Sequence, residues 1–407
     1  MLEKQLAGDI LHLRRGAKAN VIHTDLDPCG GAEQVAIATL QALVEMGMQV
    51  DLTVVRPPDL KRLENAFGRR VGKIFDKIGK IKPLGKIFEA DAGTGYDVTI
   101  NTHGDLLPYY VPSFSRRNAI TYCHYPVAAE YVRDHDPAYL KSLVRMGLID
   151  KDDDQSASWA KIAEHYKLML QNSLVITNSR FSSRATALYT AHKPAIIAPP
   201  VNVEEFRAIF SAGPREDSVL VVSRIHPSKK LENAIALAAL LKERGVGKEL
   251  VIAGNLTTGS SSGDRCGQDY RARLLEMADD CGVSEYVKIK ANVKLDRLYS
   301  LMKKSKAYFH PLPGEPFGIS VVEAMSAGLV PVVPDTGGPT EFVPLGYQFH
   351  SLHQAAAIVE SSMNATAAER TALSDSVRRF SLSEYVRAFQ KFASNMLDVG
   401  ASPAITA

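Results

Sequence analysis

Runs of apolar residues recur along the chain, and segments with helical spacing of apolar residues lie between many of them. Short apolar runs of this kind are typical of strands buried on both faces of a parallel sheet. In the first half of the chain the predicted strands are Asn20–Thr24, Val50–Val55, Asp97–Asn101, Ala119–Cys123, Leu174–Thr177 and Ala195–Ala198. In the second half they are Ser218–Val222, Glu249–Ala253, Tyr286–Ile289, Ala307–His310 and Val330–Val333. The alternation of strand and helix predicts an α/β fold with doubly wound parallel sheets.

The strand–helix pattern falls into two series of nearly equal length. Pro199 and Pro200 cannot continue a helix and favour an extended connection, and a new series starts at Asp217. Ligands bind at the carboxyl ends of the strands in sheets of this type, so two such domains facing each other would place a site in the cleft between them. The predicted domains are residues 1–205 and 206–380, followed by a helix over residues 381–397.

Composition and charge narrow the class of protein. The chain has 407 residues, of which 45% are hydrophobic and 23% charged, as in a globular protein with a substantial core. Its formal net charge of +3 is too small for the basic signature of a nucleic-acid-binding protein. Four cysteines without a CxxC pair argue against a disulfide framework and a thiolate zinc site. The cysteines are most simply reduced thiols, so we expect a cytoplasmic protein. The chain has no run of eighteen apolar residues, which predicts that no helix spans a membrane.

The segment Glu315–Gly328, with the sequence EPFGISVVEAMSAG, contains the strongest candidate site. It follows a predicted strand and opens a helix near Gly318, so the backbone amides at the helix start are unpaired and suit a phosphate or diphosphate. Glu315 and Glu323 offer carboxylates that accept hydrogen bonds from sugar hydroxyls. The alternative is a helix start with two acids that complement the helix dipole. The amides concerned are those of Phe317, Gly318, Ile319 and Ser320.

Basic residues follow the predicted strand Ser218–Val222. Arg224 and Lys229 stand in the loop SRIHPSKK, directly after this strand. A guanidinium and an ammonium group at the carboxyl end of a strand suit a diphosphate. The alternative is a solvated cationic helix start.

Glycines and acids follow the first predicted strand. Gly30 and Gly31 let the backbone approach a bound group closely at a helix start, and the alternative is a plain tight turn. Asp25 and Asp27 have the DxD spacing of some metal sites. Pro28 favours a turn-capping role for these acids, and we predict no metal.

Two histidines stand at the ends of predicted strands of the first half. His124, in the sequence TYCHYP, is placed where an imidazole can donate to a hydroxyl or a carbonyl. His103, in the sequence NTHG, is placed similarly and is a candidate for acceptor binding. The alternative for each is a structural histidine.

In this order, the four features resemble those of the GT-B glycosyltransferases of family 4, a retaining group that uses nucleotide-sugar donors. The resemblance covers nearly the whole chain and is densest at Ser223–Lys230 and Glu315–Gly328, where two glutamates are separated by seven residues. It implies two Rossmann-like domains facing each other across a cleft, with the last helix returning to the first domain. It also implies a hexosyltransferase that needs no metal or other cofactor.

The resemblance implies a role for each candidate residue. Arg224 and Lys229 would neutralise the donor diphosphate, Glu315 would hold hydroxyls of the transferred sugar, and Glu323 would bind the ribose. The predicted catalytic residues are His124, Arg224, Lys229 and Glu315. The predicted donor-binding residues are Gly30, Gly31, Arg224, Lys229, Glu315, Phe317, Gly318, Ile319, Ser320 and Glu323.

Two short motifs favour particular substrates. GGAE at Gly30–Glu33 and CHYP at Cys123–Pro126 are similar to a narrower group, the mannosyltransferases that add alpha-1,2-mannose to a dolichol-linked oligosaccharide. This similarity favours GDP-mannose as the donor, with UDP-sugars next. The implied acceptor is a glycan or an isoprenoid-lipid-linked glycan.

Residues 59–89 are basic and amphipathic, with nine Lys or Arg and four acids. A basic amphipathic stretch can lie on an anionic membrane surface. One interpretation is therefore peripheral contact with the cytoplasmic face of a membrane. The alternative is packing of this stretch on its own domain. Gly72, Gly79 and Pro83 interrupt the pattern and favour two short helices. The apolar residues of the stripe are Leu60, Leu63, Phe67, Val71, Ile74 and Ile78.

Two other functions compete with glycosyl transfer. A nucleotide-sugar 2-epimerase uses the same fold, but its elimination chemistry needs acids and bases in the cleft, whereas the paired glutamates are typical of transferases. A non-catalytic subunit that binds a sugar nucleotide is the third hypothesis. It is disfavoured because every expected donor-binding residue is present.

Overall fold

The computed structural model describes residues 16–89, 92–112, 118–151, 155–210, 213–256 and 266–399. The chain divides into two compact units, Met1–Pro200 together with Leu382–Ala407, and Val201–Ser381. The division after Pro200 lies five residues before the predicted boundary at residue 205. The Val201 amide donates to the Phe380 carbonyl at 2.9 Å, so the second unit is tied together where the chain enters and leaves it.

The first unit is built on a seven-stranded parallel sheet. Its order is β3-β2-β1-β4-β5-β6-β7, so β1, β4 and β5 are neighbours in its centre. The loops that leave the carboxyl ends of these three strands therefore meet at one edge of the sheet. The strands β1 to β7 are Lys18–Ile22, Gln49–Val54, Ile78–Pro83, Val98–Asn101, Ala119–Tyr122, Leu174–Thr177 and Ala195–Ile196.

Helices connect the strands of the first unit. The helices α1 to α7 are Gly31–Glu45, Leu60–Phe67, Arg70–Phe75, Val127–Arg133, Pro137–Arg145, Gln155–Gln171 and Arg180–Thr186. One buried apolar cluster contains residues of β1, β2, β4 and α1 to α3, and a second contains residues of α4 to α6. Burial of both clusters holds helices against the sheet.

The second unit contains a six-stranded parallel sheet in the order β10-β9-β8-β11-β12-β13. Because β8 and β11 are neighbours, the loops that follow them are brought together. The strands β8 to β13 are Glu216–Val222, Glu249–Gly254, Val287–Ala291, Ser305–Phe309, Val330–Pro334 and Gln348–Phe349. The helices α8 to α14 are Val203–Ala208, Glu232–Glu243, Cys266–Asp280, Leu295–Lys304, Ile319–Ser326, Leu352–Ser362 and Ala367–Ser376.

The last helix, α15 (Leu382–Val399), belongs to the first unit although it follows the second in sequence. The Tyr385 hydroxyl lies 2.7 Å from Thr39 Oγ1 of α1, and Phe389 is fully buried in the same apolar cluster. Aromatic burial and one buried hydrogen bond therefore fix α15 against α1.

All eleven predicted strands are present, so the α/β class with two parallel sheets is confirmed. The prediction of a helical stripe from Leu60 to Ile78 is wrong at its end, because Ile78 begins β3 at the edge of the sheet. In β3 the two isoleucines are three residues apart and lysines stand between and after them, so this largely exposed strand has the spacing of an amphipathic helix.

The apolar face of the two short helices is buried. Leu63, Phe67, Val71 and Ile74 all lie in the core of the first unit, so most of this stripe packs on its own domain. Within the part of the chain that the structure describes, no helix is both long and apolar enough to cross a membrane.

Candidate functional site

The loops after β8 and β11 bring Lys229, Glu315 and His310 together in the second unit. Lys229 Nζ lies 3.0 Å from Glu315 Oε2, and His310 Nε2 lies 3.6 Å from the same oxygen. The Lys229 and Glu315 side chains are mostly buried, with 23% and 16% exposed, and His310 is 5% exposed. Two of the predicted donor residues, Lys229 and Glu315, are thus in contact.

Glu315 is an ionised carboxylate. Burial alone would raise its pKa, but Lys229 and His310 outweigh that effect and hold the pKa well below its usual range. A buried carboxylate with a fixed charge accepts hydrogen bonds from hydroxyl groups strongly.

A polar chain continues from His310 to the start of α12. The Tyr308 hydroxyl lies 3.4 Å from His310 Nδ1 and 2.7 Å from Ser320 Oγ, and it donates to the Val222 carbonyl at 3.3 Å. Burial, followed by the charges of Glu315 and Glu323, raises the pKa of Tyr308, so its hydroxyl keeps its proton. The phenol links β8, β11 and α12.

The predicted helix start near Gly318 is confirmed. Gly318 caps α12 with a φ of +94°, a left-handed conformation that favours glycine, and the helix begins at Ile319. The amides of Ile319 and Ser320 have no acceptor in the first turn of their own helix. This end of the helix carries partial positive charge and can hold an anionic group.

Glu323 lies one turn further along α12, and its electrostatics differ from those of Glu315. Burial and then the charge of Glu205 raise the pKa of Glu323 to about 8. Glu205 belongs to α8, which packs against α12. Glu323 is therefore largely protonated at neutral pH and can donate as well as accept a hydrogen bond.

Arg224 is exposed in the loop after β8. The Ile225 amide donates to the Asn255 carbonyl at 2.9 Å, which ties this loop to the one after β9. Gly254 permits the approach, because a Cβ there would lie 1.7 Å from the Ser223 carbonyl oxygen. Arg224 thus stands on the same fixed loop as Lys229. Arg224 is exposed, whereas Lys229 and Glu315 are mostly buried.

A second glycine loop, not predicted from the sequence, supports Glu315. The Gly338 amide donates to the Glu315 carbonyl at 2.8 Å. A Cβ on Gly338 would lie 2.1 Å from the Pro316 carbonyl oxygen, and one on Gly337 would lie 2.7 Å from the Glu315 carbonyl oxygen. Only glycines allow the two segments to pack this closely.

In the first unit, the loops after β1 and β4 bring histidines together. The rings of His23 and His103 stack with centroids 4.6 Å apart and an angle of 13°. His23 Nδ1 lies 3.0 Å from Thr102 Oγ1, and His103 Nδ1 lies 2.5 Å from Thr24 Oγ1. Burial, then the charges of His23 and His124, lower the pKa of His103 well below its usual value, so His103 is neutral.

Glu33 links this histidine pair to the predicted glycine loop. Its Oε2 accepts from the Gly30 amide at 2.5 Å, and its Oε1 lies 3.6 Å from His23 Nε2. Burial opposes ionisation, but His23 and the Gly30 amide outweigh it, and the pKa of Glu33 is lowered. The carboxylate therefore holds Gly30 and Gly31 at the start of α1.

His124 and Asp105 follow β5 and β4. Burial, then the charge of His23, lower the pKa of His124 to about 4, so the imidazole is neutral at neutral pH. Burial also raises the pKa of Asp105 to about 7. Among the residues that the structure describes, His124 Nε2 and Asp105 Oδ1 are buried without a hydrogen-bond partner. Both atoms are thus available to a ligand that reaches them.

The acids of the DxD sequence are engaged within the protein. Arg56 Nη2 lies 2.5 Å from Asp25 Oδ2, and Arg56 Nε lies 3.6 Å from Asp27 Oδ2. Asp27 Oδ1 also accepts from the Asp59 amide at 2.9 Å. The Asp27 amide also donates to Asp25 Oδ1 at 3.0 Å, and this contact supports the turn-capping interpretation.

Sequence reasoning missed several members of these clusters. His23 and Asp105 are polar residues next to motifs that it did recognise, Glu33 ends the GGAE motif without a role assigned to it, and His310 directly follows β11. A charged or polar side chain directly after a buried strand was the available signal, since such positions lie at the ligand-binding edge of a parallel sheet.

The second unit has the features of a known family. Residues 202–388 match the family model of glycosyl transferases group 1. The matched residues cover almost the whole second unit. The loops after β8 and β11, with Lys229 and Glu315, lie within it.

Relatives of known function resemble parts of the chain. The GDP-Man:Man(3)GlcNAc(2)-PP-Dol alpha-1,2-mannosyltransferase of Caenorhabditis elegans is 27% identical over 264 residues, which are 60% of this chain and 54% of that protein. The GDP-mannose:cellobiosyl-diphosphopolyprenol alpha-mannosyltransferase of Komagataeibacter xylinus is 31% identical over 136 residues, which are 33% of this chain and 31% of that protein. The chain thus spans about half the length, or less, of these curated relatives.

Solved structures of glycosyltransferases match the fold of this chain over most of its length. A glycosyltransferase from Rickettsia africae ESF-5 matches 94% of this chain and 99% of its own with a TM-score of 0.63 and 14% identity. Anabaena HepE, in complex with UDP and glucose, matches 93% of this chain and 100% of its own with a TM-score of 0.62 and 16% identity. The chain has the GT-B fold, and the resemblance seen in its sequence is confirmed.

Proposed function

We propose that the protein is a retaining glycosyltransferase that moves mannose from GDP-mannose to a lipid-linked glycan. The observation that carries this proposal is the contact of Lys229 with Glu315 at 3.0 Å beside the start of α12, within a glycosyl transferases group 1 domain. One cation, one fixed carboxylate and a set of helix amides together match the chemistry of a nucleotide sugar.

Stabilisation of the departing nucleoside diphosphate is the main catalytic demand. Negative charge builds on the diphosphate oxygens as the bond to the sugar breaks, and preorganised positive groups lower the energy of that state. In the proposed reaction, Arg224 and Lys229 bind the diphosphate, and the amides of Gly318, Ile319 and Ser320 donate to its oxygens.

Carboxylates orient the rest of the donor. Glu315 accepts from hydroxyls of the transferred sugar, and Glu323 binds the ribose. His124 donates to the sugar through its neutral imidazole, and Gly30 and Gly31 approach the donor through their backbone. His103, whose ring stacks on His23 and whose Nδ1 lies 2.5 Å from Thr24 Oγ1, is the proposed acceptor-binding residue.

The choice of substrates rests on the relatives. The names of the C. elegans and K. xylinus proteins specify GDP-mannose and a diphosphate-linked polyisoprenoid acceptor. The two relatives act on different glycans, and both glycans are carried on a lipid diphosphate. We propose that this chain shares the donor and the class of acceptor, with UDP-sugars as the second choice of donor.

The proposed reaction is metal-independent, because Arg224, Lys229 and the helix amides supply the positive charge near the diphosphate. The acids of the DxD sequence are held by Arg56. Transfer in the presence of excess EDTA should equal transfer with added magnesium. A loss of activity that only a divalent cation restores would contradict this part of the proposal.

Exposed basic residues on α2, α3, β3 and the turn between α3 and β3 suit contact with an anionic membrane. Lys61, Lys73, Lys77 and Lys80 are exposed, and Ile81 is 42% exposed beside them in sequence. We propose peripheral binding through these cations rather than through the buried apolar stripe. The protein should sediment with phosphatidylglycerol vesicles and not with phosphatidylcholine vesicles, and a variant with Lys73, Lys77 and Lys80 changed to Glu should lose that binding.

The function is tested by incubating the protein with GDP-mannose and a synthetic polyisoprenyl-diphosphate glycan. We expect a product heavier by one mannose, with the new bond in the alpha configuration of the donor. A beta linkage would refute retention. Recovery of an epimerised nucleotide sugar without acceptor would support the 2-epimerase hypothesis. Donor binding with neither transfer nor hydrolysis for any acceptor would support a non-catalytic subunit.

A further inference from the structure

His310 occupies a position in the second unit that the proposed donor site does not explain. Its ring is 5% exposed and lies between the Tyr308 hydroxyl, 3.4 Å from Nδ1, and Glu315 Oε2, 3.6 Å from Nε2. Among the described residues, Nε2 has no hydrogen-bond partner. A buried imidazole beside a buried carboxylate needs a reason, because an unmade hydrogen bond in an interior is costly.

Lys229 neutralises Glu315 in the absence of ligand. In the proposed function, the same ammonium group binds the diphosphate of the donor. The diphosphate carries more negative charge than one carboxylate and attracts Lys229 more strongly. Glu315 would then be a buried anion without its cation, which is a costly arrangement. His310 is the other titratable group placed to compensate it.

We propose that binding of a nucleoside diphosphate is coupled to the uptake of one proton by His310, which replaces Lys229 as the counter-ion of Glu315. The inference rests on the proposed function, since it takes Lys229 as the ligand of the diphosphate. The proton comes from solvent, no covalent bond forms or breaks, and the proton returns to solvent when the nucleotide leaves.

The surroundings of His310 accommodate the extra proton. A protonated ring donates through Nε2 to Glu315 and through Nδ1 to the Tyr308 oxygen. Tyr308 can accept this bond, because its own proton can go to the Val222 carbonyl or to Ser320 Oγ. The Tyr308 hydroxyl itself stays protonated, since burial raises its pKa.

Glu323 is a second titratable group near this chain and has to be separated from His310. Its pKa is raised to about 8 by burial and by Glu205, so it can lose a proton when a ribose binds. Such a loss would mask an uptake at His310. The quantity that tests the proposal is therefore the difference between wild type and a His310 variant.

The experiment is calorimetric titration of the full chain with GDP, and separately with UDP, in PIPES, HEPES and Tris buffers at one pH near neutrality. The slope of the observed enthalpy against the buffer ionisation enthalpy gives the number of protons exchanged. We expect His310→Gln to take up about one proton fewer than wild type for each nucleotide bound. Its affinity for GDP should also fall. His353→Gln, an exposed change on α13 of the same unit, should match wild type.

Equal slopes in wild type and His310→Gln would overturn the proposal. If neither GDP nor UDP binds wild type, the proposed function fails, and the inference fails with it. Nitrogen NMR of histidine-labelled wild type provides a test that needs no folded variant. Among its eleven histidines, one should change from a neutral to a doubly protonated signature when GDP saturates the protein, and no change would also overturn the proposal.

Discussion

Lys229 Nζ lies 3.0 Å from Glu315 Oε2 although 86 residues separate them in sequence. The neighbouring positions of β8 and β11 in the sheet bring their loops together. A largely buried pair of this kind costs desolvation, and removing one partner leaves an uncompensated charge. Its presence here is explained by a ligand that uses both groups.

Removing one partner of this pair should destabilise the protein more than the loss of both partners suggests, because the remaining charge stays buried without its partner. We expect Lys229→Met to lower the free energy of unfolding by roughly 1–3 kcal/mol, because the Glu315 carboxylate remains without its cation. The double variant Lys229→Met, Glu315→Leu should lose less than the sum of the two single changes. Urea unfolding of the four proteins measures the coupling, and strictly additive changes would contradict it. Each variant should lose glycosyl transfer.

The raised pKa of Glu323 predicts a loss of stability with rising pH. The folded state holds the proton up to about pH 8, whereas the unfolded chain releases it near its ordinary value, so the stability from this group falls across that interval. In Glu323→Gln the side chain cannot ionise, so this loss of stability with rising pH is absent. Its melting temperature relative to wild type should therefore be higher at pH 8 than at pH 5. A difference that does not change with pH would show that Glu323 titrates normally.

Gly338 should not tolerate a side chain. A Cβ there would lie 2.1 Å from the Pro316 carbonyl oxygen, and backbone on both sides leaves no flexible group to move. We expect Gly338→Ala to displace the Glu315 loop and to abolish nucleotide binding. Gly346→Ala is the matched control, since nothing lies within 4 Å of a Cβ there. Comparable losses of GDP binding in both variants would refute the argument from packing.

Glu33 should contribute more to the free energy of unfolding than an exposed helix cap does. Its carboxylate accepts from the Gly30 amide at 2.5 Å and is 5% exposed, whereas Glu369 makes the same type of contact with the Thr366 amide at 2.7 Å on an exposed helix start. We expect Glu33→Ala to cost about 1–3 kcal/mol of unfolding free energy and Glu369→Ala to cost clearly less. Equal costs, measured by urea unfolding, would reduce Glu33 to a simple cap.

The buried strands were predictable because parallel strands covered on both faces are nearly continuous apolar runs. β3 was missed for the opposite reason. It lies at the edge of its sheet, and its isoleucines, Ile78 and Ile81, are three residues apart, so its pattern continues that of the amphipathic helices before it. β13 has two residues, of which only Phe349 is apolar, so it contains no apolar run.

The site was predictable where residue type alone indicates chemistry, as for Lys229 and Glu315. The position of His310 depends on the pairing of β8 with β11, and the position of Glu33 depends on the turn that returns its carboxylate to Gly30. Neither is contained in a local pattern. The pKa values of Glu315 and Glu323, which shift in opposite directions, depend on burial and on partners from distant segments.

The most direct test of the account is thermal stabilisation by a panel of nucleotides and nucleotide sugars. A ligand that binds only the folded state raises the melting temperature as it saturates the protein. We predict a rise with GDP and GDP-mannose, a smaller rise with UDP compounds, and none for the folded double variant Lys229→Met, Glu315→Leu. No rise with any nucleotide, or an equal rise in the double variant, would contradict the assignment of the donor site.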